Sequence, residues 1–164
     1  MTKKKGKFTD PAASVSIAKR AKKSDHGVLA VWAADCAVRV LPIFEKECPD
    51  DERPRKAIAD AWQWARDGIF HMAAVRGSAL GAHAAAREVR SSEAARFAAR
   101  AAGHAIATAH VPTHSIAAAW YAAKAIWASD PDNAEYNVGR ERQWQYGHLV
   151  RLEGAQKRNK SKKG

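Results

Sequence analysis

The stretch SEAARFAARAAGHAIATAHVPTH, residues 92–114, decides the fold class. Alanine, the strongest helix former, fills most positions between its charged, aromatic and histidine residues. Ser92 is placed to cap a helix N-terminus, with Glu93 in the first turn. The helical pattern runs to about His110 and ends before Pro112, which opens the next helix.

The same logic extends in both directions. Leu29, Trp32, Cys36, Val40 and Ile43 recur at three- and four-residue steps and predict a helix over 28–47, kinked at Pro42. Pro54 starts a helix near 53–54, with Ile58, Trp62, Ala65 and Ile69 on one face and Gly68 weakening its end. Further helices are expected over about 70–90, 112–129 and 133–152. There is no alternating β-branched run and no Asn-Gly or Asp-Gly hairpin signal. The expectation is therefore all-α: an alanine-rich bundle of about six helices, a single domain over 26–152 with flexible basic tails. Residues 1–25 read as a disordered or partly helical tail and 153–164 as a disordered one. Gly77 and Gly81, four apart, are placed to let a neighbouring helix approach closely. Tryptophans 32, 62, 120, 127 and 144 read as core. Trp64 falls beside the Trp62 stripe and is expected at the surface. On the last helix Tyr136, Trp144, Tyr146 and Leu149 mark an aromatic amphipathic face.

The formal charge of +11 is confined to the ends. Residues 1–25 hold eight Lys/Arg against Asp10 and Asp25, and residues 151–164 hold six against Glu153, leaving a neutral body. Lysine-rich ends touch polyanions weakly and without specificity. Wholly apolar runs are short and no apolar segment follows the basic N-terminus, so a cytoplasmic protein without a membrane span is expected. Cys36 and Cys48 lie twelve residues apart on one expected helix, about 18 Å, too far for a disulfide.

Catalytic signatures are weak. No Gly-rich phosphate loop, no G-x-S-x-G and no paired carboxylates in a helical context occur. Ser92 and Ser115 have histidines nearby in sequence but nothing to orient them, and Cys36 beside Asp35 lacks a histidine partner. No catalytic residue is assigned.

The unusual feature is histidine. His104, His110 and His114 flank two helix boundaries, and His83 sits on the helix before. His104 shares a face with Phe97, Ala101 and Thr108, which makes Thr108 its expected side-chain partner. As metal ligands the three would need His83 or Asp35 from elsewhere, yet no HExxH, Glu-x-x-His or Cys-x-x-Cys is present, so no metal or cofactor is assigned. His83 and Arg87 are one turn apart. Arg96, Arg100 and His104 step by four. His114, Tyr121 and Lys124 share one side of their helix, away from the Trp120 stripe. If these helices are neighbours, His83, Arg87, Arg100, His104, Thr108, His110, His114, Tyr121 and Lys124 line one cationic, hydrogen-bonding groove. Arg and Tyr are enriched at protein-binding hot spots. The plainer alternative is a solvated face with a few satisfied buried polar groups.

The segment from Gly103-His104 through Thr108, His110 and His114 to Tyr121 and Lys124 resembles the bacterial family of immunity-protein-five-like domains. Trp32-Ala-Ala-Asp35-Cys36, Leu41-Pro42-Ile-Phe44-Glu45, Arg53-Pro54 with Ala57-Ile58, and Ala82-His83-Ala-Ala-Ala-Arg87 agree with it. The resemblance covers about residues 28–128, leaving the basic tails and the last helix outside. It implies an all-α domain that binds and neutralises a cognate toxin protein of a bacterial polymorphic toxin system. It carries the matched histidines and arginines over as family-typical positions and implies no catalytic residue. Two other functions stay open beside it: nucleic-acid binding through the basic tails, and a histidine-based metal or small-molecule site.

Overall fold

A helix whose side chains are mostly methyl groups lets a neighbouring backbone come close, and the tertiary structure is built on that approach. A computed structural model describes residues 6–163. Among these it contains no strand and seven helices: α1 (Ala13–Ala21), α2 (His26–Glu47), α3 (Arg53–Asp67), α4 (Met72–Glu88), α5 (Glu93–Ala107), α6 (His114–Ser129) and α7 (Ala134–Ser161). The protein is an all-α bundle. Lys3, Lys4 and Lys5 of the basic N-terminus lie outside the described residues, as does Gly164.

The centre is α2 against α5. Nine of the fifteen residues of α5 are buried, all of them Ala, Gly or Ile. It packs against α2, α3, α4 and α6. As expected, Ser92 caps α5 by accepting from Ala95 N at 3.1 Å. α2 runs unbroken for 22 residues through Pro42, which sits on its exposed side where the missing N–H costs least. By length and composition alone α2 could cross a membrane, but it is the core helix, packed against α3, α5, α6 and α7. α4 lies at the edge, against α3 and α5. Cys36 is buried and Cys48 partly buried, and both are free thiols.

At its ends the chain carries helix beyond the six segments expected over 28–152. A seventh helix, α1, forms inside the N-terminal tail because Ile17 and Ala21, one turn apart, bury against the bundle. The C-terminal stretch from 153, expected to be disordered, is helical through Ser161. It is fixed by Glu153, which accepts from Arg20 Nε at 2.7 Å and from the Ser24 hydroxyl. The aromatic face assigned to the last helix is split: Tyr136 is 66% exposed and Tyr146 36%, whereas Trp144 is partly buried and Leu149 fully buried.

What α7 inserts into the bundle is polar. Glu141, Arg142 and Gln145 are buried beside Val138 and Leu149. Arg142 donates twice to Asp10, at 2.9 and 2.7 Å, and to Gln145 Oε1 at 2.9 Å. Gln145 donates to Ala119 O at 3.0 Å and to Glu141 at 3.2 Å, while its own carbonyl receives the Trp32 indole N–H at 2.8 Å. Arg39 completes the set with a two-nitrogen grip on Glu141. Every buried charge is thus met by an opposite one, the condition under which such a network is tolerated.

The tryptophans are less central than their spacing implies. Trp32 is fully buried, but Trp62, Trp120, Trp127 and Trp144 are only partly so; on α6, alanines occupy the inner face in place of Trp120 and Trp127. Phe8 caps Trp120 and Trp127 edge-on, at 5.9 and 6.0 Å between ring centres. Trp64 is half-buried rather than exposed, beside His26 at 4.6 Å.

Candidate partner-binding face

α4, α5 and α6 stand side by side, so the polar positions singled out in the sequence fall into register. His83 of α4 and His104 of α5 meet edge to face at 5.0 Å between centres. His104 and His114 of α6 come together at 5.2 Å, with Nδ1 to Nδ1 at 3.1 Å. Tyr121 stacks on His104 at 5.3 Å, its ring within 10° of parallel. The glycine that permits this is Gly103. A Cβ there would lie 2.6 Å from His83 Cε1 and 2.8 Å from both ring nitrogens. Gly77 and Gly81 do not serve the role their spacing implied: a Cβ at 77 meets nothing within 4 Å, and one at 81 makes ordinary contact with Arg53 at 3.9 Å.

The hydrogen-bond expectation for His104 is corrected. Its ring partner is His114, whereas the Thr108 hydroxyl donates to the His104 backbone carbonyl at 3.0 Å. Thr108 is fully buried, and its own carbonyl accepts from His26 Nε2 at 2.6 Å. Thr108 therefore ties the α5–α6 corner together and presents nothing to a ligand. Lys124 is likewise not clear of the Trp120 stripe. Its ammonium lies 4.2 Å from the Phe97 ring centre, 4.4 Å from Trp120 and 5.8 Å from Tyr121. His110 is exposed and stacks on Phe70 at 6.1 Å. Arg87 is exposed and Arg100 half-buried, and among the described residues neither forms an ion pair.

The electrostatics follow from burial under a positive field. Burial pushes His83 down to about 4, with Arg100 and Arg87 adding to the effect. Burial also brings His104 to about 4, helped by His83 and His114. His114 is lowered by burial and by His110, and the Lys124 amine by burial. Neutral imidazoles suit the Nδ1–Nδ1 contact, since one nitrogen must donate and the other accept. The His83 Nδ1 is buried without a partner. Among the described residues no group of three or more His, Cys, Asp or Glu is disposed to hold a metal. Asp35, considered as a possible fourth ligand, is committed elsewhere: it accepts from the Trp62 indole at 2.8 Å and pairs with His148 Nε2 at 2.7 Å.

The face is thus a patch of stacked rings with cationic edges and no nucleophile–base pair. A family model described as Imm-5 like putative immunity protein matches residues 19–152.

The chain belongs to the Imm-5 like putative immunity protein family.

The family match begins inside α1 and continues well into α7, beyond the part of the chain whose motifs carry the resemblance. No curated protein and no solved structure gives a significant match. Within this immunity-family member, sequence reasoning missed Gly103 as the close-approach glycine, Phe97 as the floor under Lys124, and His148 as the partner of Asp35. Gly103 was legible in principle, as a glycine interrupting an alanine run. His148 was not, because 113 residues separate it from Asp35.

Proposed function

We propose that this chain neutralises a cognate toxin of a bacterial polymorphic toxin system by direct protein binding in the cytoplasm, using the α4–α5–α6 face. Membership of the immunity family carries the reading. Three properties of the face support it. It gathers Tyr, His and Arg, types suited to interface hot spots. It is already packed before any partner arrives, since Gly103, His83, His104 and Tyr121 lock one another in place, and pre-ordering lowers the entropic cost of association. It offers no arrangement for covalent chemistry, which suits occlusion of a toxin rather than turnover. The test is co-expression with the toxin candidates encoded beside the gene. Growth rescue and co-purification with one of them are expected, and failure with all of them overturns the reading.

A second reading, nucleic-acid binding, is favoured by one observation. α1 and the end of α7 pack together, which brings the exposed Lys19, Lys22 and Lys23 to the same part of the molecule as Lys157, Arg158 and Lys160. It calls for RNA or DNA binding that falls steeply with salt and disappears when these six are neutralised. Absence of binding at low salt ends it.

A further inference from the structure

Helix α1 leans on α7 and meets α6 only lightly, which leaves a groove between α1 and α6. Two adjoining hollows of about 630 and 260 Å³ form it, and they share Thr113 and Ile116. Each wall is a stripe at helical spacing: Val15, Ala18 and Lys22 on the α1 side, Ile116, Ala117 and Trp120 on the α6 side. Val15 is 71% exposed, the most exposed large hydrophobic side chain among the described residues. An open apolar trough of this kind marks an interaction surface. It adjoins the α4–α5–α6 face, since Trp120 meets Tyr121 at 5.0 Å. Val15 and Ala18 precede the family match, which begins at residue 19, so the groove is not a feature that membership supplies.

The charges around the groove select its occupant. The nearby carboxylates are engaged: Asp10 by Arg142, Glu153 by Arg20, and Asp25 by the Gly27 N–H and Lys160. α6 contains no Asp or Glu, and its Lys124 lies over Trp120 at 4.4 Å while feeling Glu93 of α5. Lys22 lines the groove, and Lys19 and Lys23 follow Val15 at steps of four. All three lysines are exposed, and among the described residues none of them forms an ion pair. An apolar floor therefore lies under a cationic rim. A phosphate backbone matches the rim but leaves Val15, Ala18 and Ile116 uncovered. A second copy of this chain, at +11, brings charge of the wrong sign. An amphipathic helix flanked by carboxylates satisfies both floor and rim, and a trough framed by two helices suits its i, i+3, i+4, i+7 anchors. Resting on the immunity reading above, we infer that the α1–α6 groove receives an acidic amphipathic helix of the partner protein, its apolar side chains between Val15 and Trp120 and its carboxylates facing Lys19, Lys22 and Lys23.

The experiment uses the full chain, with Val and Ile methyl groups labelled for NMR, and four probes. These are a stapled helical peptide of about 14 residues with Leu at i, i+3, i+4 and i+7 among Glu, long enough to span α1, the same composition with the Leu stripe scrambled, an oligothymidylate, and phosphatidylserine vesicles. The striped peptide should bind at least tenfold more tightly than the scrambled one and shift the methyl signals of Val15 and Ile116. V15E and K19Q/K22Q/K23Q should each weaken it at least tenfold, and L80E on α4 should change nothing. No binding, equal binding of the scrambled peptide, or indifference to V15E overturns the inference. Tighter binding of oligothymidylate or vesicles through the same lysines overturns it in favour of nucleic acid or a bilayer. Self-association that V15E abolishes overturns it in favour of a second copy. Should the peptides fail while co-expression still rescues growth, the groove assignment falls and the immunity reading stands. Should rescue fail with every toxin candidate, the immunity reading falls however the peptides behave.

Discussion

The His83 ring occupies the space that a side chain at position 103 would take, at 2.6–2.8 Å from where a Cβ would sit. Helix α4 can therefore lay its imidazole across α5 only because residue 103 is glycine. Gly103→Ala has two opposed effects: better helix propensity, about 1 kcal/mol, and overpacking, about 1–3 kcal/mol. Because the ring is half-buried between two helices, we expect net destabilisation in urea unfolding. His83→Ala in the same chain should restore Gly103→Ala to at least its own single-variant level. A Gly103→Ala protein more stable than the parent would show the ring to be free to move.

Stability should depend on pH through the same cluster. His83 and His104 are held near 4 in the folded chain, whereas histidine in the unfolded chain titrates near 6.5. Between those values the unfolded state carries protons that the folded state refuses, so stability falls as pH falls through that window. Both rings are partly solvated, which moderates the loss. Thermal unfolding should show a Tm drop of roughly 5–10 °C from pH 7 to pH 4.5. The drop should be visibly smaller in His83→Ala/His104→Phe, and equal drops in the two proteins would assign it to other groups.

Asp10 anchors the N-terminal segment by meeting Arg142, whose side chain is 2% exposed. Asp10→Ala leaves a buried guanidinium with only Gln145 as partner and should cost about 2–4 kcal/mol in denaturant unfolding. Asp60→Ala removes an exposed pair with Lys56 and should cost less than about 0.5 kcal/mol. Similar costs for the two would mean that the Asp10 pair is as solvated as the Lys56 pair.

Glu153 holds α1 by accepting from both Arg20 and Ser24. Glu153→Ala should loosen α1 without unfolding the body. Trypsin should then cut at Lys19, Lys22 or Lys23 several times faster, while Tm moves by only about 1–3 °C. Unchanged cleavage would show that burial of Ile17 and Ala21 suffices to hold the helix.

By itself the sequence determined the all-α class, six of the seven helices and the family. Those properties rest on local signals: alanine propensity, three- and four-residue spacing, prolines at helix starts, and motifs short enough to read along the chain. It also named His83, His104, His114 and Tyr121 among nine residues that share a groove if their helices are neighbours, because helical periodicity fixes which positions of each helix share a side. Only the tertiary structure decided who touches whom. Thr108 reads as the partner of His104 from its spacing, yet the ring reaches His114 because the turn at Pro112 folds α6 back onto α5. The C-terminal stretch reads as a loose charged tail, yet Glu153 and Arg20, 133 residues apart, make it a docked helix. Periodicity specifies a direction around one helix axis. The distance between two axes is set by how small the residues between them are, and here Gly103 set it.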